Sequence, residues 1–265
     1  MSKEYDVSIV IIDRVRKMTA HDLETGEMLF QLTNLEEPSL NTASEGEDVT
    51  DALGSVITTI YRAKTATFSA TSSLFSLDLA ATQFGSKKQV AGNEKKILTY
   101  TYEVLTFGEN DSAGIALAHQ PADAASIKYV YEVVKKDVGR SFTAGSQASE
   151  TEFQISENKL VPPTGFKGQL LIEYTYESSE AVRVANMSED FPEAFSAVLY
   201  VYFRDVCTDK LISGQVIIPK AKINPESIEL ALTSTGKHPF EMKINKDYCE
   251  EGAELFSIVV AGDTE

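Results

Sequence analysis

The residues best suited to chemistry are few and scattered. The 265-residue chain has three histidines, His21, His119 and His238, and two cysteines, Cys207 and Cys249. No histidine lies within four residues of another histidine or a cysteine, so the spacing of a zinc site is absent. There is no Gly-x-Ser-x-Gly elbow, no Gly-rich phosphate loop and no dinucleotide fingerprint. Glu45–Asp48 (EGED) and Glu109–Ser112 (ENDS) lack the ligand spacing of a calcium loop. Paired carboxylates for glycoside hydrolysis need only spatial closeness, and with 40 acidic residues the sequence singles out no pair. No catalytic, cofactor-binding or metal-ligating residue is assigned, and the chain is read as a non-enzyme that needs no cofactor.

Composition narrows the class further. The net charge of −16 opposes tight binding to a nucleic acid backbone and favours solubility, or a surface that repels nucleic acid. Hydrophobic residues make up 43%, enough for a proper core, and Tyr and Phe are plentiful. Trp is absent, which weighs against a sugar-binding platform. Two cysteines are too few for a disulfide scaffold and read as free thiols of a reducing compartment, a single bridge remaining open. The N-terminal apolar run, Val7–Ile12, is too short for a signal peptide, and no stretch reaches the length of a membrane span. A soluble protein made in the cytoplasm, without a membrane anchor, is expected.

The elements read mostly as strands. Tyr5, Val7, Ile9 and Ile11 alternate, Glu24–Glu27 forms a hairpin turn, and Met28–Leu32 leaves it as a second strand. Glu36–Asp51 has six acidic residues, no basic ones, one Pro and one Gly, and reads as a long loop. Thr65–Ala70 alternates at strand period. Leu74, Leu77, Ala81 and Phe84 then recur at helical spacing, with Ser72 or Ser73 as the cap and Gly85 as the stop. Ser86–Lys96 carries four lysines in an otherwise acidic chain. The acidic loop and this lysine segment are either solvated connections or two parts of a contact between subunits. As contact candidates they offer Glu45, Glu47, Asp48 and Asp51 on one side and Lys87, Lys88, Lys95 and Lys96 on the other.

Ile97–Phe107 and Ile127–Lys135 read as strong strands. Asp137–Glu150, rich in Gly and Ser, reads as a flexible boundary, Phe153–Ile155 as a short strand, and Val161–Gly168 as irregular. Strands follow at Gln169–Ser178, Ala181–Met187, Phe195–Phe203 and Leu211–Ile218, with Pro219 and Pro225 as punctuation. Ile228–Leu232 and Phe240–Ile244 read as a hairpin about Thr235-Gly236-Lys237, and Leu255–Val260 as the last strand. With about a dozen strands, one convincing helix and no short internal repeat, the class is all-β with one short flanking α-helix, a sandwich or a barrel.

Two stretches carry a resemblance. Val49–Gly85, with its Asp-Ala-Leu-Gly-Ser turn, small-residue strand and Leu/Ala helix ending in Gln-Phe-Gly, resembles the tail tube proteins of tailed bacteriophages. The C-terminal IPKAKINPESIELALTSTGKHPFEMKIN followed by LFSIVVAG is similar in style. The resemblance implies a single tail-tube-like β-sandwich or barrel domain over 1–265, with 137–168 as an insertion or flexible segment. It implies homo-oligomeric rings, hexameric and stacked into a tube, with other tail proteins as partners and a lumen through which DNA passes without specific binding. It also implies a place in the virion tail after synthesis in the host cytoplasm. Another virion component (neck, baseplate or capsid-decorating) and a β-sandwich ligand-binding module are the alternatives.

Overall fold

A computed structural model describes residues 9–226, 228–230, 233, 236–248, 252 and 254–261. The chain divides into two compact units, residues 1–88 with 184–265, and residues 89–183. Both are β, and the described residues contain one α-helix.

The first unit contains β1 (Val10–Asp22), β2 (Met28–Leu32), β3 (Leu35–Thr50), β4 (Val56–Ser72) and α1 (Leu77–Phe84). After the second unit it resumes with β14 (Ala194–Asp205), β15 (Leu211–Ile223), β16 (His238–Ile244) and β17 (Ser257–Val260). The strands run β2-β1-β14-β15-β16-β4-β3, and β17 adds to β15. β2 and β3 are consecutive in the chain, separated only by Thr33 and Asn34, yet they stand at opposite ends of this order. So short a link is possible only if the sheet rolls until its ends approach, and the result is a nearly closed barrel. Alternation fills it. On β14, Phe195, Ala197, Leu199, Val201 and Phe203 are buried, while Tyr200 and Tyr202 on the other face are half-exposed.

The helix contributes Leu79 to the barrel core. Its cap is Ser76, whose hydroxyl accepts from the N–H of Leu79, rather than Ser72 or Ser73 as the periodicity suggested. Ser72 instead ends β4 and holds the backbone of Leu74. Gly85 ends the helix as expected, in the left-handed region at φ 65°. A Cβ there would also collide with the backbone carbonyl of Phe191. Gly85→Ala is therefore expected to lower the unfolding free energy by about 1–3 kcal/mol, read from urea denaturation.

His238 latches the helix to β16. It is fully buried, with Nε2 2.6 Å from Gln83 Oε1, and the Phe75 ring stacks on it at 5.0 Å. The Ser76 N–H can only donate, so Nδ1, 3.4 Å away, accepts and the imidazole is neutral. Burial pushes its pKa below the ordinary 6.5. The unfolded chain then binds a proton that the folded unit refuses. Stability is whole above pH 6.5 and falls as the pH drops below it. Denaturation at pH 8 and pH 5 should show this loss, and in His238→Gln the histidine's share of it should vanish.

Several expectations change. Glu36–Asp51 is not a loop: Glu36–Thr50 lies in β3, paired with β4, and only Asp51 belongs to the turn. Pro219 lies inside β15, beside the register shift between Phe195 and Ala197, where a missing N–H is tolerated. The expected C-terminal hairpin falls partly outside the described residues. Ile228–Leu230 is irregular, and β16 pairs with β4 and β15. Tyr5, Val7, Leu232, Thr235 and Cys249 lie outside the described residues.

The second unit holds β5 (Gln89–Val90), β6 (Ile97–Phe107), β7 (Ile115–Ala116), β8 (Tyr129–Val134), β9 (Asp137–Ala144), β10 (Glu152–Ser156), β11 (Lys159–Val161), β12 (Gly168–Ser178) and β13 (Val182–Arg183). Seven of these form a sheet in the order β6-β12-β8-β9-β10-β11-β7, while β13 pairs with β5. Its core gathers Phe107, Val130, Phe142, Phe153, Leu160, Leu170 and Ile172. Asp137–Glu150 was expected to be a flexible boundary, but its first part is β9. The buried Phe142 anchors it, and Lys135 and Lys136, both at positive φ, turn the chain into it. Of Ala181–Met187 only Val182–Arg183 is strand. Residues 137–168, singled out from the sequence, lie within this unit.

Candidate assembly surface

The β3–β4 hairpin changes character along its length. The inner part of β4, Ala66–Ser72, is paired on both sides, with β3 and with β16, and its residues alternate buried and half-buried. Beyond Ala66 the two strands pair only with each other. Over that outer ribbon every residue of Asn41–Thr50 is exposed, as is nearly all of Val56–Thr65. The sequence explains why it stays a strand: β4 is rich in Val, Ile, Thr and Tyr.

Local contacts shape the ribbon. Asp51 Oδ1 accepts from the N–H groups of Leu53 (2.9 Å) and Ser55 (2.8 Å), which closes the tip, and Gly54 supplies φ 86°. Register shifts at Glu45/Gly46 and Val49/Thr50 add twist. The shelf at Gly46 is filled from across the strand: an added Cβ would lie 2.9 Å from Thr59 Cγ2 and 3.0 Å from Tyr61 Cε1. Thr59 donates its hydroxyl to Asp48 at 2.6 Å, and Arg62 pairs with Glu47 at 2.7 Å.

Among the side chains that the ribbon leaves uncovered are large apolar ones. Leu53 at the tip is 92% exposed and Tyr61 70%, with Val56, Ile57 and Ile60 also exposed. A two-stranded ribbon is at best marginally stable in water, and an exposed apolar surface of this kind marks an interaction site.

Residues 10–252 match the family model described as the YomU/Tube protein family. The chain belongs to the YomU/Tube protein family. This is a phage tail tube family, so the chain is a tube-like structural protein of the virion tail. A comparison with curated proteins finds no match. The YomU/Tube match takes in both units and the whole of the ribbon.

In this YomU/Tube chain the four acidic candidates, Glu45, Glu47, Asp48 and Asp51, come together on the ribbon, with Asp51 spent on its turn. The lysine candidates divide. Lys87 and Lys88 end one part of the first unit, and Lys88 is paired with Asp78. Lys95 and Lys96 belong to the second unit, where Lys96 meets Glu177 at 3.3 Å. The apolar ribbon residues Leu53, Ile57, Ile60 and Tyr61 were not singled out from the sequence. Their signal was the Asp-Ala-Leu-Gly-Ser turn ahead of a β-branched run, which marks a hairpin tip.

The histidines have structural surroundings: His21 Nδ1 lies 3.4 Å from the Gly26 carbonyl, His119 stacks on Tyr176 at 3.9 Å, and His238 is the helix latch. In the second unit the Tyr174 hydroxyl donates to Glu103 and accepts from the His119 N–H at 3.1 Å. Burial, reinforced by the Glu103 carboxylate, pushes the phenol up to about 12. Among the described residues no group of three or more His, Cys, Asp or Glu is placed to hold a metal ion. Cys207 is exposed.

Proposed function

We propose that the chain is a self-assembling tail tube subunit whose copies form hexameric rings, stacked into a channel for DNA. The observation that carries this is the outer β3–β4 ribbon, a long arm with exposed apolar side chains on a barrel that is otherwise well filled. A monomer gains nothing from such an arm, whereas docking it on a neighbour buries its side chains and covers its open strand edge. In this proposal Glu45, Glu47, Asp48 and Asp51 enter the interface with the ribbon. The lysine segment enters chiefly through Lys87 and Lys95, since Lys88 and Lys96 are already engaged within their own chain. The net charge of −16 supports a lumen that does not hold DNA. Other tail proteins would cap the tube, and subunits made in the host cytoplasm would join the virion there.

The test is electron microscopy and light scattering of the concentrated full chain. Rings that grow into tubes are expected. A strictly monomeric protein would overturn the proposal, and a fixed oligomer without growth would point to a neck or baseplate role instead.

A further inference from the structure

If the ribbon is an arm, a second copy must offer it a seat, and the first unit has one surface of matching character. On the outward face of β1 and β14, cations lie over tyrosines. Arg14 is 5.4 Å and Arg16 5.7 Å from the ring centre of Tyr202, and Lys17 is 4.7 Å from that of Tyr200. The register builds this strip, since Arg14 pairs with Tyr202 and Lys17 with Tyr200, while the intervening Val201 points into the core. Beside it opens a cavity of about 240 Å³, lined by Tyr200, Tyr202, Ser213, Gln215 and Val259 together with Arg16. On the same outward face, exposed Ile11, opposite Arg204, continues the apolar surface along β1, and exposed Val259, opposite Gln215, does so along β17. Among the described acidic groups at this end, Asp13 meets Arg14 and Arg204, each at 3.3 Å, Arg204 also holds Asp209, and Asp205 accepts from the N–H groups of Cys207 and Thr208.

We propose that this strip receives the outer ribbon of a second copy of the chain. The inference rests on the tube proposal above and names the surface that the arm engages. Charge complementarity picks the occupant. Past Ala43 the ribbon carries Glu45, Glu47, Asp48 and Asp51 against only Arg62 and Lys64, whereas the strip concentrates cations in a chain of net charge −16. A guanidinium held over an aromatic face still presents its edge N–H groups to a carboxylate. The apolar parts match as well: Leu53 at the ribbon tip has the size to enter the cavity, and Ile11 and Val259 offer a surface to the other exposed apolar residues of the ribbon. Like charges brought into this contact would oppose it, and opposite ones would steer it.

Two variant sets of the full chain test the seat. Arg14→Glu with Lys17→Glu should raise the concentration needed for tubes at least about tenfold. Adding Glu45→Lys and Asp48→Lys should restore much of the loss. In a Cys207→Ser, Cys249→Ser background, Leu53→Cys with Gln215→Cys should oxidise to a ladder of covalently joined copies within tubes. That readout does not depend on how the charge variants fold. Tubes that form normally with Arg14 and Lys17 reversed, or that give no ladder, overturn the seat while leaving the tube proposal standing. Loss of tubes on reversing Lys87 and Lys95, but not Arg14 and Lys17, also overturns it and gives the role to the lysine segment. Failure of the unmodified chain to assemble at any concentration is the distinct result that removes the tube proposal and this inference together.

Discussion

Excising residues 44–64 and joining Ala43 to Thr65 through an Asn-Gly turn should leave a folded monomer that forms no tubes at any attainable concentration. Ala43 and Thr65 are paired partners, so the shortened hairpin keeps its register and its inner half still lies beside β16. The removed residues contribute nothing to the barrel core, and the unfolding free energy should stay within about 0.5 kcal/mol of the parent. Assembly loses the whole apolar arm. Leu53→Asp alone is a milder version, expected to raise the assembly concentration by at least about tenfold, because it puts a charge where a fully exposed leucine would be buried. Sedimentation and electron microscopy read both. Tubes formed by the excised chain would show that the arm is not what joins copies.

The second large effect lies in the barrel. Phe195 is fully buried, pairs with Asp22 on β1 and Ala221 on β15, and meets Phe30 edge-on at 5.8 Å. Phe195→Ala should cost about 3–5 kcal/mol, from the lost transfer energy and the cavity left behind. Whole domains are stable by only about 5–15 kcal/mol, so the variant is expected to lose a large share of its stability and to melt at a clearly lower temperature. The neighbouring Ser196→Ala, on the other face of the same strand, should change stability by less than about 1 kcal/mol. Thermal denaturation of the pair separates the two faces. Equal losses would mean that β14 is not oriented as described.

These two results bear on what the sequence could say. The strand character of Ile97–Phe107 and Phe195–Phe203 was legible, because each β-branched or aromatic run carries its own signal. Gly85 as a helix stop was legible for the same local reason. β3 was not. Its residues, from Glu36 through Gly46 to Thr50, have poor strand propensity and no alternation, and only pairing with β4 makes them a strand. Asp137–Ala144 was hidden in the same way, by Gly and Ser around a single buried Phe142. The acidic half of the candidate surface could be read as a cluster, but its apolar half could not. Exposed valine, isoleucine and leucine look like core until the structure shows nothing packed on them. The strip of Arg14, Lys17, Tyr200 and Tyr202 joins residues far apart in the chain, and no linear pattern marks it.

The latch between Gln83 and His238 has a consequence in time. Its two side chains stand 155 residues apart, and β4 finds β16 across a similar stretch of chain. During synthesis, at about 5–20 residues per second, the second unit is complete and free to fold while the first still lacks half of its strands. Closing the barrel waits for those distant partners, and such long-range pairing is slow. The base of the ribbon has no β16 to lean on until then. A nascent chain therefore has no fixed arm until β16 has been made, and under the tube proposal copies would not join before that point.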